Sequence, residues 1–411
     1  MLFTRYSLKM KLLVTMVIKI RTAFLLVLLA CTGKVNAQIG FERILQEIDT
    51  NNLTLKALRQ KLEAERIATR IGLYPSNPQA EVIYQWGNPV DIGNRTTIGI
   101  TQQFDFPTAY IYKAKLAKGM STALEHEFRA KRAEILNNAS LLCAELVYHN
   151  ALVMELQRQQ ESAMVIANSL KQKYDAGVAG ILPYTQAELV YQELNSRISQ
   201  AILQRKILSD ELTALNGSVQ VHISDTAILL PELPPNFETY FSAIELQNPE
   251  LAYLKSEVEN SHTKLQLVKS EKLPSFTLGY ASEKLVGERF QGVVVGMSIP
   301  LWEKINTISH ARANERFVQL LTHEYLINYR LGSERLFNKA VALRELIDQL
   351  TESIDRLNIV DKLNLALDKG EISIIDYYTE LNNYNSIKER LLEVQYEYLK
   401  TYIELHRFTS F

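Results

Sequence analysis

The chain has almost no cysteine: two in 411 residues, Cys31 and Cys143. Cys31 falls within a basic, apolar leader, so the remainder has a single thiol and no disulfide framework can hold it together. Midway along an apolar helical stretch, Cys143 reads as a small core hydrophobe. Proline is missing between Pro107 and Pro183 and again everywhere after Pro300, which removes the usual helix breaker from two long spans. Beyond residue 37 no stretch stays apolar for the roughly 18 residues that a membrane-crossing helix needs. Reactive constellations are missing too. The seven histidines are scattered, and there is no H-E-x-x-H, C-x-x-C, G-x-S-x-G or phosphate loop. Met120, Met154, Met164 and Met297 are too dispersed for a copper relay. These absences predict no catalytic residue, no metal site, no cofactor and no enzyme activity.

Residues 1–37 carry six basic residues and no acid. Removing them from 45 basic and 46 acidic residues leaves 39 − 46 = −7 for the rest, without the basic face that nucleic acid demands. With the apolar run Ala23–Cys31 and VNA before Gln38, residues 1–37 read as a secretory signal peptide. Met10 and Met16 are alternative starts. LLAC at Leu28–Cys31 is a rival lipobox whose cysteine would be acylated; cleavage after Ala37 fits the small-residue rule better, and either cut exports the protein.

What the chain does contain, it says twice. NNLTLKAL (Asn51–Leu58) matches QNPELAYL (Gln247–Leu254) at a spacing of 196. At that spacing Pro78 falls on Pro274, Val82 on Leu278 and Tyr84 on Tyr280. IGITQQFDF (Ile98–Phe106) then faces VGMSIPLW (Val295–Trp302), and GVAGILPYTQAE (from Gly177) faces GEISIIDYYTEL (from Gly370), 193 residues on. Each half predicts a first helix (Phe41–Leu73; Asn236–Lys272), two strands, a long helix, a turn and a return helix. The strands are expected at Ala80–Trp86, Arg95–Phe106, Ser275–Ser282 and Arg289–Ile299, linked by loops Pro89–Asn94 and Lys284–Glu288. The boundaries are residues 38–216 for the first repeat, 217–240 for a connector and 241–411 for the second repeat. The long helix near Ala109–Ala176 would measure about 100 Å. The first and return helices nearly sum to that length, so they are expected end to end beside it. Gly177 and Gly370 supply left-handed stops, and Pro183 and Asp376 stand where the return helices begin.

Strands of about ten residues are long enough to cross an outer membrane when tilted. Four alone would leave two bare edges in lipid, where each unsatisfied backbone group costs several kcal/mol. Spanning barrels begin at about eight strands, so several chains must share one. Trp86, Phe104, Phe106, Tyr280 and Trp302, near strand ends, are candidates for aromatic girdles.

The duplicated order of NNLTL and QNPEL, LYPSNPQAEV and SEKLPSFTLGY, TIGITQQFDF and VVVGMSIPLW, and the two G-x-x-x-I-x-[PD]-Y turns resembles the TolC-like outer-membrane efflux proteins over nearly the whole exported chain. The resemblance implies a mainly α fold with a small β part: long helical hairpins forming a periplasmic α-barrel, and four strands per chain in a homotrimeric, 12-stranded transmembrane β-barrel. It implies a passive conduit in outer-membrane lipid, serving an inner-membrane pump of the RND type through a periplasmic adaptor. Close helix packing in that family needs small side chains, which Ala123, Ala130, Ala133, Ala139 and Ala144 supply. The turns, with Gly177, Gly180, Pro183, Tyr184, Gly370, Ser373 and Tyr377, would meet the adaptor. Asp376 falls on the family's pore constriction, with Asp368, Glu371 and Asp175 adding negative charge. Thr379 stands where a second acid can occur, and Ile372 and Leu367 stand where a latch arginine and tyrosine occur, so that latch is absent. The alternative is a soluble periplasmic coiled-coil adaptor or scaffold, for which one helical hairpin and single β domains would be expected.

Overall fold

The structure is a computed structural model that describes residues 41–302, 304–357 and 359–409. Packing divides the chain into Met1–Ile44 and Leu45–Phe411, and the second unit is described below. The signal peptide expected at 1–37, with both candidate cleavage sites, lies outside the described residues. In order the elements are α1 (Glu42–Asn51), α2 (Leu53–Ala68), β1 (Gln79–Gln85), β2 (Arg95–Phe104), α3 (Pro107–Asp175) and α4 (Ile181–Leu215). The second half repeats them as α5 (Phe237–Gln247), α6 (Pro249–Ser270), β3 (Ser275–Leu285), β4 (Glu288–Ser298), α7 (Thr307–Leu357), α8 (Ile359–Asp368) and α9 (Ile374–Leu405).

The first helix of each half is two helices, where leucine periodicity predicts one. The breaks fall at equivalent positions of the repeat, Asn52 and Asn248. The Asn52 side-chain oxygen accepts from the Leu55 N–H at 2.9 Å, and that of Asn248 accepts from Glu250 and Leu251 at 2.9 and 3.1 Å. Both asparagines are buried, at 4% and 1% exposed. An asparagine does not interrupt an apolar stripe, so periodicity runs through a cap that its side chain creates. Asn52 also fastens two helix ends, because its amide donates to the Leu215 carbonyl at 2.8 Å. Asn51 donates to Asn216 at 3.1 Å. The end of α4 therefore abuts the start of α2, as the length arithmetic predicts. In the second half the Tyr240 hydroxyl donates to the carbonyl of Leu405, the last residue of α9, at 2.5 Å.

At 69 residues, α3 extends about 100 Å. It packs on α2 and α6 near the sheet, and on α4 and α9 toward the turns. Ala123, Ala133, Ala139 and Ala144 are buried along it, and Ala130 is half-buried. Cys143 is fully buried among them, and burial pushes its thiol up to about 12. The helical layer thus runs α2, α3, α6, α7 near the sheet, and α4, α3, α9, then α7 and α8 near the turns. The sheet has the same order, β1-β2-β3-β4, antiparallel throughout.

A part-buried polar network joins the two halves. Arg158 donates to Glu155 at 2.6 Å and to Asn385 of α9 at 2.9 Å. Gln159 donates to Glu389 of α9 at 3.1 Å, and Arg197 of α4 pairs with the same carboxylate. Burial raises the pKa of Glu155, but Arg158, Gln159 and Lys388 outweigh it and hold the carboxyl below the usual carboxylate range. A depressed carboxyl stabilises the fold above its unfolded pKa and loses that contribution as pH falls through the folded value. Glu155→Gln is therefore expected to lower stability at neutral pH and to flatten the loss of stability as pH falls below the ordinary carboxylate range, measured by denaturant unfolding across pH. Asn52→Ala and Asn248→Ala are each expected to cost about 1–2 kcal/mol, from the lost cap and, at Asn52, the stranded Leu215 carbonyl. Denaturant titration of the single and double variants checks this.

Candidate functional site

Directly opposed residues of an antiparallel sheet share a face, so the register sorts every strand residue. One face takes Val82 and Tyr84 from β1, Ile98 and Ile100 from β2, and Phe276, Leu278 and Tyr280 from β3. From β4 it takes Val293, Val295 and Met297. These side chains are 38% to 79% exposed, an uncovered apolar field with no charge between Phe276 and Ser282. The opposite face is mostly polar or small, with Thr97, Gly99, Thr101, Thr277, Gly279 and Ala281, then Gly292 and Gly296, interrupted by Ile83, Val294 and Phe290. Its charges gather toward the hairpin end, where Arg95 pairs with Glu283 at 2.8 Å.

Tryptophans mark both ends of the apolar field. Trp86 follows β1 at the hairpin end and is 80% exposed; Trp302 follows β4 at the helix end and is 74% exposed. Phe104 closes β2 at the helix end, half-buried, and the Phe106 ring lies 6.3 Å from that of Phe276. Tyr280 departs from expectation. It is the sixth of eleven residues in β3 and lies at mid-strand, its hydroxyl donating to Gln291 at 2.9 Å. The reason is that β3 continues to Leu285, past the predicted end at Ser282. The expected loop Lys284–Glu288 shrinks to a two-residue turn at Val286 and Gly287, both with positive φ, 46° and 91°. Mirror-image turns of that kind match the strand twist. Each of β1 and β4 has one partner strand and a bare outer edge among the described residues.

The two helical turns are built alike. Gly177 and Gly370 both have φ of 71°. The Gly177 and Val178 N–H groups donate back to the Tyr174 and Lys173 carbonyls at 2.9 and 2.8 Å, and those of Gly370 and Glu371 to Leu367 and Ala366 at 3.0 and 2.9 Å. This doubled Schellman closure is why glycine recurs, since the left-handed position penalises a side chain. The restarts differ. Gly180 begins α4 without a side-chain cap, and Pro183 is the third residue of the helix, not its start. Ser373, not Asp376, caps α9: the Asp376 N–H donates to Ser373 Oγ at 3.1 Å, and the Asp376 carboxylate accepts from Ser373 Oγ at 2.6 Å. The signal that names Ser373 is the S-x-x-D spacing of a capping box.

Tyr184 and Tyr377 meet on one apolar cluster with Ile166, Leu170 and Ile374, so the two turns are joined behind their tips. Asp175, Asp368, Glu371 and Asp376 are all exposed around them. Among the described residues no cluster of acids, histidines and cysteines is placed to hold a metal, and no helix is long and apolar enough to cross a membrane. Ser373→Ala is expected to cost about 1 kcal/mol through loss of the box. Gly180→Ser, which has no neighbour within 4 Å of an added side chain, is expected to stabilise α4 by a few tenths of a kcal/mol, on the order of the difference between a Gly and a Ser cap; thermal unfolding reads both.

No family model and no curated protein matches the chain. Solved structures do match it, over about 90% of the chain. The Campylobacter jejuni CmeC outer membrane channel aligns with a TM-score of 0.73 at 17% identity, covering 91% of this chain and 86% of that one. The Vibrio cholerae outer membrane protein VceC aligns at 0.73 and 12%, covering 90% and 96%. The open state of the Neisseria gonorrhoeae MtrE outer membrane channel aligns at 0.63 and 13%, covering 90% and 88%. The chain has the fold of the TolC-like outer-membrane channels.

Proposed function

We propose that this chain is one subunit of a homotrimeric outer-membrane channel, the passive exit duct of a three-part export system. The observation that carries the proposal is the coincidence of edges. The sheet ends at β1 and β4, and the helical layer ends on the same sides, at α2 and α4 and at α7. The two edges are unlike, so copies join head to tail and close a ring. Three copies supply twelve strands, above the eight or so at which spanning barrels begin. In such a ring the apolar field of Val82, Ile100, Leu278 and Val295 faces lipid, and the opposite face, richer in small and polar residues, lines an aqueous bore. Trp86 and Trp302 then stand at the two membrane interfaces. The signal peptide expected at 1–37 places the chain outside the inner membrane.

The turns are the ends left for partners. Val178 and Ile181 are 77% and 54% exposed at the first turn, an apolar tip suited to a periplasmic adaptor carrying substrate from an inner-membrane pump. At the second turn Asp368, Glu371 and Asp376, repeated in each copy, put a ring of negative charge at the pore mouth. Asp376 serves its own helix as well, and the capping box sets how its carboxylate is held.

The detergent-extracted protein is expected to run as an oligomer and to open aqueous channels in planar bilayers. Recovery of a monomer from the soluble periplasm without detergent favours the scaffold and ends the channel reading. Val295→Arg on the apolar field is expected to cost about 2–4 kcal/mol in a bilayer, whereas Thr277→Arg on the opposite face leaves insertion intact. Folding into lipid vesicles compares them.

A further inference from the structure

Resting on the ring proposed above, we infer that a groove beside α4 seats α7 from the next copy, with Lys206 and Arg205 pairing with Glu345 of that copy. The groove is a cavity of about 720 Å³ between α3, α4 and the connector, lined among others by Met154, Arg205, Lys206, Asp210 and His222. It holds two fixed cations against one acid. Neither Arg205 nor Lys206 has an ion-pair partner among the described residues. Glu345, exposed on α7, has none there either. Three solvent-facing charges without partners on opposite edges of one chain are the complement that a head-to-tail contact requires.

Height decides which residues meet. Hydrogen bonds between antiparallel helices calibrate a ruler counted from the two turn glycines. Gln160 and Asn195, hydrogen-bonded across α3 and α4, lie 17 and 18 residues from Gly177. Gln159 and Glu389, bonded across the two halves, lie 18 residues from Gly177 and 19 from Gly370. Arg158 and Asn385 give 19 and 15, and Lys339 and Glu397 on α7 and α9 give 31 and 27. Both hairpins therefore end level to within four residues, about 6 Å. On this ruler Lys206 stands 29 residues above Gly177 and Glu345 stands 25 above Gly370, within the same tolerance. Near the tips, Leu182 and Leu365 each stand five residues from their glycine and are 72% and 55% exposed. One antiparallel register thus brings the opposite charges together above and the exposed leucines together below.

The test is zero-length carbodiimide cross-linking of the detergent-purified oligomer assembled from mixed light and heavy-isotope chains. The expected product is a peptide joining Lys206 to Glu345 with one half light and one half heavy. Lys206→Glu and Glu345→Lys, made singly, are expected to lower the temperature at which the oligomer dissociates, and the doubly reversed chain to regain it. An intact oligomer with no such mixed peptide, or single reversals that their combination does not rescue, overturns the pairing and leaves the ring standing. A wild-type chain that stays single in detergent overturns the ring, and this contact with it.

Discussion

A sheet with one apolar face and two bare edges cannot be a finished object. The apolar face of β1 to β4 asks for lipid or a covering layer, and no helix among the described residues covers it. Lipid would satisfy the face but punish the edges, because backbone groups in hydrocarbon have no water to turn to. Each repair makes the other problem worse, and closure by further copies, as proposed above, resolves both. The helical layer carries the same incompleteness downward, ending in line with the sheet, so one operation completes both. Exposed leucines, unpaired charges and bare strand edges on the same two sides are then one feature seen at three heights.

Duplication explains how a single chain presents such a wide layer. Two copies of one plan, each a first helix, a strand pair and a long hairpin, are set side by side with α3 against α6 and α9. The repeats are faithful where backbone geometry is strict: both left-handed glycines, both Schellman closures, both asparagine caps. They diverge where side chains face outward. The first turn keeps an uncapped Gly180 and an apolar tip; the second gains Ser373 and its box with Asp376, and gathers Asp368 and Glu371 around it. The conserved skeleton places the two turns level, and the divergent surface gives them different chemistry.

Much of this was legible in the letters because the decisive signals were local or periodic. Strand positions followed from alternation between prolines, the long helices from uninterrupted helix formers, and the turns from glycine followed by a helix restart. Three points were not legible, each for a physical reason. Asn52 and Asn248 break helices by what their side chains accept, which a hydrophobic period does not register. Val286 takes a left-handed conformation that β-branched residues avoid, so a two-residue turn there was read as a longer loop, and Tyr280 was displaced from mid-strand to strand end. Asp376 aligns with Pro183 and so reads as the helix start, although Ser373, three residues before it, satisfies the exposed N–H. Assembly was read from incompleteness and resemblance, and the coincidence of helical and sheet edges needed coordinates.

Level turns matter more than any one contact, and apolar packing alone does not secure them. The facing surfaces of α3, α4 and α9 are repetitive in alanine and leucine, and hydrophobic contact is non-directional, so a slip of one turn would cost little buried area. A part-buried polar network has one register in which every member is satisfied, and a slip leaves its charges and amides without those partners. Glu155, Arg158, Gln159, Arg197, Asn385 and Glu389 make such a network at mid-hairpin, linking α3 to α4 and the first repeat to the second. Its free energy is spent on position. With the register fixed there, Gly177 and Gly370 end at one height, and in the proposed ring copies joined edge to edge would finish in a level rim.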